Sequence, residues 1–431
     1  MREKIVAYIE KIVPEGKGFG IYEGIPVYVI GALPEEIVEA QVFRAKKDFK
    51  EAILTRVLQP SPHRILPQED HYLSCSPWQT MDYYFQIQQK QKIIRRCFKS
   101  FANLDLPDFE LVPSLSQFHY RNKIEFSFGE DEDGVFLAFH QRGSHKNMCK
   151  LNNGCVLAHP LINEKARIVF ELIKQSGVQE FDIKSLIVRS SIFEQKSIAI
   201  LLVKNEKERV QRLIEIAKSY PIDDFGIALS SYKNPTPTID KMLYQKGSLT
   251  LKEKVNHLIL EYSIDSFFQN HIPLFEIALN DIAANIKPNQ TILELYSGVG
   301  SIGLFLATKA SKVTAVESVK SAVHYAYQNA QSNKVANYYV ISSLAEKIDR
   351  KEFTNISTLI VDPPRTGLHK KVRKLILESK PEQIVYLSCN PITQANDFNT
   401  LKEFYDLTFI KAYDFYPQTP HIESLIILNR K

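Results

Sequence analysis

A chain of 431 residues, 44% hydrophobic and 24% charged, has the composition of an ordinary globular protein and is long enough for two or three domains that each bury a core. Its opening lacks the apolar region of a secretory leader and no apolar run approaches the ~18 residues that a membrane span requires, so a cytoplasmic location with no membrane partner is expected. Five scattered cysteines argue against a disulfide framework, and a net charge of +5 permits nucleic acid as a partner without arguing for it.

Residues 1–60 read as a small β-barrel. The runs Ile5–Ile9, Val27–Ile30 and Ile37–Val42 are rich in β-branched residues and are split by the turn-forming segments 14–18 and 31–34. Arg44, Lys46, Lys47 and Lys50 offer a basic edge, although residues 1–64 carry ten Lys/Arg against nine Asp/Glu, and a solvated face explains the edge equally well. The Pro-rich segment 60–67 reads as a linker, and Tyr83–Phe101 as a helix whose Lys90, Lys92, Arg95, Arg96 and Lys99 form a solvated face.

Residues 61–265 form a central α+β domain, in which strand-like runs at Ile124–Phe128 and Ser197–Val203 alternate with helical runs at Pro160–Gln175 and Lys207–Ser219. Tyr120-Arg121-Asn122-Lys123 is its one exposed aromatic and basic cluster. Cys75, Cys97, Cys149 and Cys155 contain no C-x₂-C spacing, so no metal is expected from the pattern.

Residues 266–431 alternate β and α: an amphipathic helix over 271–286, the strand Thr291–Leu295, a glycine loop, the strand Val313–Val316 ending in Glu317, and further strands ending in Asp362 and Cys389. This is a doubly wound sheet, in which ligands bind at the carboxyl ends of the strands. Gly298-x-Gly300-x-x-Gly303 matches a dinucleotide fingerprint, with Glu317 placed to grip ribose hydroxyls. Glu294 decides between ligands: a carboxylate there opposes a pyrophosphate but favours the ammonium of a methionine moiety, so S-adenosylmethionine is expected over NAD.

Cys389 follows the apolar run Ile384–Leu387 and precedes Asn390-Pro391, which stops the strand and leaves the thiol at its carboxyl end. Alone, such a cysteine is a small hydrophobe capping a strand. Beside Asp362 of Asp-Pro-Pro-Arg and Glu423, which opens the final strand, it completes a set of nucleophile, carboxylates and methyl donor suited to covalent activation of an electron-poor ring and methylation at carbon.

Phe267-Phe268-Gln269, Glu294-Leu-Tyr296-Ser-Gly298-Val-Gly300, Glu317, Asp362-Pro-Pro-Arg365-x-Gly367-Leu368, Ser388-Cys389-Asn390-Pro391 and His421-x-Glu423, in this order, resemble the uracil-C5 RNA methyltransferase family over nearly the whole chain. The resemblance implies a TRAM-like (oligonucleotide-binding) barrel, a central domain and a class I S-adenosylmethionine-dependent methyltransferase domain. It implies that Gln269, Tyr296, Glu317 and Asp362 contact the cofactor, that Cys389 is the nucleophile and that Glu423 is the proton acceptor. The expected reaction is methylation of a uridine at C5, in 23S rRNA rather than tRNA, by a monomer; the base must be flipped out of its stack to be reached. The rivals are a tRNA-specific enzyme of the same kind, a dinucleotide-dependent oxidoreductase, and an RNA-binding protein whose methyltransferase domain is vestigial.

The sequence departs from the family in two places. Many members hold an iron–sulfur cluster on three closely spaced cysteines and a fourth downstream. Here Glu69 and Trp78 replace two of the three, leaving Cys75 and, as the fourth, Cys155, so no cluster is expected. His271 also stands where an asparagine usually follows Phe-Phe-Gln.

Overall fold

A computed structural model describes residues 3–143, 147–231 and 237–431. Met1 and Arg2, part of the opening read above, lie outside them.

The amino-terminal strands alternate buried and exposed side chains, as a period of two demands of a sheet with one wet face. Ile5, Ala7, Ile9, Val27, Val29, Val38 and Ala40 form the interior. Strands Lys4–Ile12, Gly18–Tyr22, Ile25–Ile30, Lys50–Gln59 and Ile37–Ala45 are neighbours in that order, and pairing of the last with the first closes the barrel. Its basic edge is partly neutralised. Arg44 donates to Glu51 (2.9 Å), and Lys50 to Glu3 (2.5 Å).

Segment 60–67 is a docked strap, not a free linker: Arg64 donates to the buried Glu36 (2.8 Å) and to the Gly31 carbonyl (2.8 Å). The helix Tyr83–Ala102 is capped by Asp82, whose side chain accepts from Phe85 N. Lys92, Arg96 and Lys99 are exposed as expected, but Lys90 is fully buried and ion-paired with Asp414 (2.5 Å). Sequence pattern could not distinguish it from its neighbours, because the carboxylate that admits it to the interior lies 324 residues away.

A seven-stranded sheet occupies the middle of the chain, running from Lys241–Lys246 through Phe225–Leu229, Lys196–Val203, Ile183–Ser191, Lys123–Asp131 and Gly134–His140 to Met148–Lys150. Helices Pro160–Ser176 and Glu208–Ser219 bury Ile162, Val169, Leu172, Val210 and Leu213 against one face. The other face, through Ile187, Ile198, Ile200 and Leu202, joins a core shared with the hairpin Thr250–Ser263 and the carboxyl-terminal sheet.

That sheet has eight strands in the spatial order Tyr338–Ser342, Ala310–Glu317, Gln290–Leu295, Thr358–Val361, Gln383–Ser388, Glu423–Arg430, Tyr405–Tyr413, Leu111–Val112. The first five run parallel, and Glu423–Arg430 pairs antiparallel to Gln383–Ser388. It is a doubly wound α/β sheet, as the alternating pattern predicts. Leu111–Val112 adds parallel to Tyr405–Tyr413, and Tyr83–Ala102 shares the same core, so the stretch 83–112 packs with this sheet although it precedes the central one in sequence.

Candidate active site

Strand order reverses between Gln290–Leu295 and Thr358–Val361, and the loops leaving these two strands diverge to open a crevice. After the first strand, Tyr296 takes a positive φ of 64°, a conformation uncommon for a non-glycine residue and concentrated at functional turns. Gly298 and Gly300 follow at 56° and 91°. A Cβ on Gly298 would meet nothing within 4 Å, so its surroundings are open. A Cβ on Gly303 would stand 2.2 Å from a Glu294 oxygen, so this glycine is required by close approach.

That approach explains where Glu294 lies. Its side chain leaves the strand toward the start of helix Ser301–Leu306, not along the strand axis, and Oε1 accepts from Gly303 N (3.1 Å). It is buried, Oε2 has no partner, and burial pushes its carboxyl up to about 8. The expectation of a carboxylate exposed to a ligand ammonium is therefore corrected. Glu294 sits beneath the loop, largely as the neutral acid at pH 7, and ties strand to helix.

Glu317 ends its strand as expected and also grips this loop. One oxygen accepts from Gly298 N (2.9 Å), the other from Ser318 N (2.6 Å) and Val319 N (2.8 Å). Tyr296 turns its ring onto the core packed between the sheet and its outer helices, where burial pushes its hydroxyl up to about 12.

Across the crevice Asp362 follows Val361, and burial pushes its carboxyl up to about 7. Gln269 Nε2 donates to its Oδ2 (3.4 Å), while Gln269 Oε1 is buried and unpartnered. Asn122 from the central sheet fixes the Gln269 backbone by donating to its carbonyl (2.8 Å). His271, two residues on, is a structural cap: Nδ1 accepts from Leu274 N (3.4 Å), and Nε2 lies 2.6 Å from Ser114 Oγ. Burial holds its imidazole down at about 4.

The next strand ends at Ser388, and Asn390 caps the helix Pro391–Leu401 by accepting from Ile392 N (3.1 Å) while donating to the Arg365 carbonyl (2.8 Å). Cys389 is thereby held between a strand end and a helix start. Antiparallel register pairs Ser388 with Ser424, which brings Glu423 to the same end of the sheet as Cys389. Gln394 locks that register, donating to the carbonyls of both Tyr386 (3.0 Å) and Ser424 (3.1 Å). Burial, then the Glu423 and Asp362 carboxyls, push the Cys389 thiol up to about 12. Burial, with Asp362, holds Glu423 well above the ordinary carboxyl range, and its Oε1 has no partner.

Arg365 and His421 rim this cluster. Arg365 Nη2 lies 3.3 Å from His421 Nδ1, and burial, helped by Arg365 and Arg121, holds the His421 imidazole down at about 3. A groove leads away from His421 along the central sheet past Arg121, Lys123, Arg142 and Lys184. The Tyr120–Lys123 cluster is thus half correct as an exposed patch. Tyr120 and Asn122 are buried, while Arg121 and Lys123 line the groove.

Of the expected site residues, Asp362, Gln269, Cys389 and Glu423 converge, and Glu317 lies with Tyr296 and the glycine loop on the other wall. Gln394 was not read from the sequence, and Asn122, Arg121 and Lys123 were read only as a surface cluster, without their roles here. Their side chains act on partners that only the fold brings near.

A family model described as tRNA (uracil-5-)-methyltransferase matches residues 82–431. A protein of Bacillus cereus named as an uncharacterized RNA methyltransferase is 28% identical over 444 residues, covering 98% of this chain and 96% of its own. One of the same description from Fusobacterium nucleatum is 29% identical over 446 residues, covering 98% and 95%. Among solved structures, the Pyrococcus abyssi tRNA (uracil-54, C5)-methyltransferase in complex with S-adenosyl-L-homocysteine superposes with a TM-score of 0.77 at 23% identity, covering 98% of this chain and 100% of that one, a likeness of fold.

Proposed function

The chain belongs to the tRNA (uracil-5-)-methyltransferase family, and from that premise we propose that it methylates C5 of a uridine in RNA through a covalent bond between Cys389 and C6 of the base. The observation that carries this reading is the convergence, at one sheet end, of a thiol, an unpartnered buried carboxyl and the Asp362–Gln269 pair.

The crevice suits the cofactor. Gln269 Oε1 and Ser297 Oγ are buried without partners, and the space around Gly298 is open. We assign Gln269, Tyr296, Glu317 and Asp362 to its binding, with Tyr296 acting through the backbone turn it forms. S-adenosylmethionine held there supplies an electrophilic methyl group and a positive sulfonium. The remaining work falls to the chain's own residues. Cys389 as thiolate forms a bond to C6, and the ring electrons move toward C5, where the methyl group is taken. Glu423 as carboxylate removes the C5 proton, the bond from Cys389 to C6 breaks, and the thiolate is restored. Burial and the neighbouring carboxyls keep Cys389 and Glu423 protonated, so a nearby positive charge is needed to ionise them; Arg365 acts in that direction on the thiol. Activity should therefore depend on the bound cofactor's charge and on alkaline pH more than an exposed thiol would require.

In Glu423→Gln, addition and methyl transfer survive while proton removal does not. A stable RNA–protein adduct should accumulate on denaturing gels and disappear in the double variant with Cys389→Ala. Absence of any Cys389-dependent adduct would remove Glu423 from its role. As to the RNA, the first reading is 23S rRNA, and tRNA, for which both the matching family model and the full-length structural neighbour are named, is the second. Mass mapping of 5-methyluridine in both RNAs, from cells with and without the gene, decides between them.

A further inference from the structure

Away from the reacting groups, the short turn of helix Tyr72–Cys75 packs against the loop after Lys150. It brings together Glu69, His71, Cys75 and Cys155, whose donor atoms all lie within 4.8 Å of one another. The iron–sulfur cluster that the family resemblance implies does not fit here. Only two of the four donors are thiols, and the others are a carboxylate and an imidazole gathered to the span of one ion. We propose instead that these four residues bind a single zinc-type divalent cation in tetrahedral coordination, in place of the cluster.

The donor set suits the ion. Zinc takes Cys, His and carboxylate ligands at about 2.0–2.3 Å, and a closed set of four describes a structural site. His71 is more than nine-tenths buried, yet its Nε2 makes no hydrogen bond. It lies 3.1 Å from Glu69 Oε2, an ion-pair distance without the alignment of a hydrogen bond, and beside the Cys155 thiol, a spacing that ligands of a common centre also show. Cys75 Sγ lies 3.1 Å from Glu69 Oε1. The carboxylate is oriented from outside, accepting from Val156 N (2.9 Å) and Gln79 Nε2 (2.9 Å), the outer-shell support expected of a metal ligand.

The charges also balance. Two thiolates and one carboxylate against a dication leave one negative charge, and the Arg121 guanidinium faces both sulfurs. Both cysteines line the basic groove, so the ion would fasten the wall that carries Arg121. Cys149, the other thiol nearby, is engaged by Ser74 (3.2 Å) and stands outside the set.

The test uses the full chain, purified without chelators in both aerobic and anaerobic preparations. The expected result is about one zinc per chain without acid-labile sulfide. Cobalt loaded in its place should give the strong visible absorption of a tetrahedral site and a thiolate-to-cobalt charge-transfer band, both lost in Cys155→Ser. Should that variant not fold, mercurial titration of the native protein must release the ion as thiols are capped. About four irons with sulfide in the anaerobic preparation would overturn the proposal. So would a chain that takes up neither zinc nor cobalt, or a disulfide between Cys75 and Cys155. Metal content is read independently of methyl transfer, so failure here leaves the reading of the active site standing, and failure there leaves this one.

Discussion

The residue that departs furthest from a sequence reading is Glu294. A carboxylate four positions before a glycine loop looks like a ligand contact until the helix above it is placed, and that helix approaches because Gly303 lacks a Cβ. The consequence is thermodynamic. Its carboxyl rises from 4.5 to about 8 on folding, so between these values the folded chain holds a proton that the unfolded chain has lost, and stability falls as pH rises. The slope due to this group approaches roughly 1.4 kcal/mol per pH unit within that window. Asp362, raised to about 7, acts in the same direction over a lower range. Glu294→Gln keeps an oxygen for Gly303 N but cannot ionise. Its melting temperature should therefore vary less than the parent's between pH 5 and 8, with the advantage to the variant at the alkaline end. Parallel melting profiles for the two proteins would mean that Glu294 ionises freely and faces the crevice after all.

Elements were legible where their signal was local. The strand ends at Asp362 and Cys389 follow from apolar runs stopped by proline, and the glycine loop from spacing alone. The burial of Lys90 was not legible, because a charged residue on a helix is solvated unless a distant counter-charge enters with it. Asp414 is that counter-charge, and it also accepts from the Tyr83 hydroxyl (2.9 Å), so one carboxylate joins helix Tyr83–Ala102 to the segment leading from Tyr413 to Glu423. Lys90 adds a bond to the Tyr416 carbonyl (3.0 Å). Asp414→Asn leaves a buried ammonium without its partner and should lower unfolding stability by about 3–5 kcal/mol. The double variant Lys90→Met/Asp414→Leu removes both charges and should recover much of that loss in denaturant titration. If the double variant is no more stable than the single one, charge compensation is not what fixes this segment.

At the scale of the whole molecule, the central sheet contributes no reacting group, yet it forms one wall of an approach to His421 that is lined by several cations. Neither Lys123 nor Arg142 forms an ion pair among those residues; Arg142 only donates weakly to the Ser74 carbonyl (3.5 Å), and burial holds the Lys123 ammonium down at about 8. Cations left uncompensated beside a site for an unstacked base are suited to phosphates of a single strand. Lys123→Ala and Arg142→Ala should each weaken RNA binding and make its salt dependence shallower, by about 0.7 in the log–log slope for each phosphate that the variant no longer neutralises. Affinity for S-adenosylmethionine should stay as it was, because among the described residues neither side chain forms a hydrogen bond or ion pair with Gln269, Asp362 or the glycine loop. Weaker binding with an unaltered salt slope would point to a packing defect instead, and unaltered binding would send the RNA along another face. The net charge of +5 could not reveal this path, since it averages over many paired surface ions the two cations, Lys123 and Arg142, that form no ion pair among the described residues.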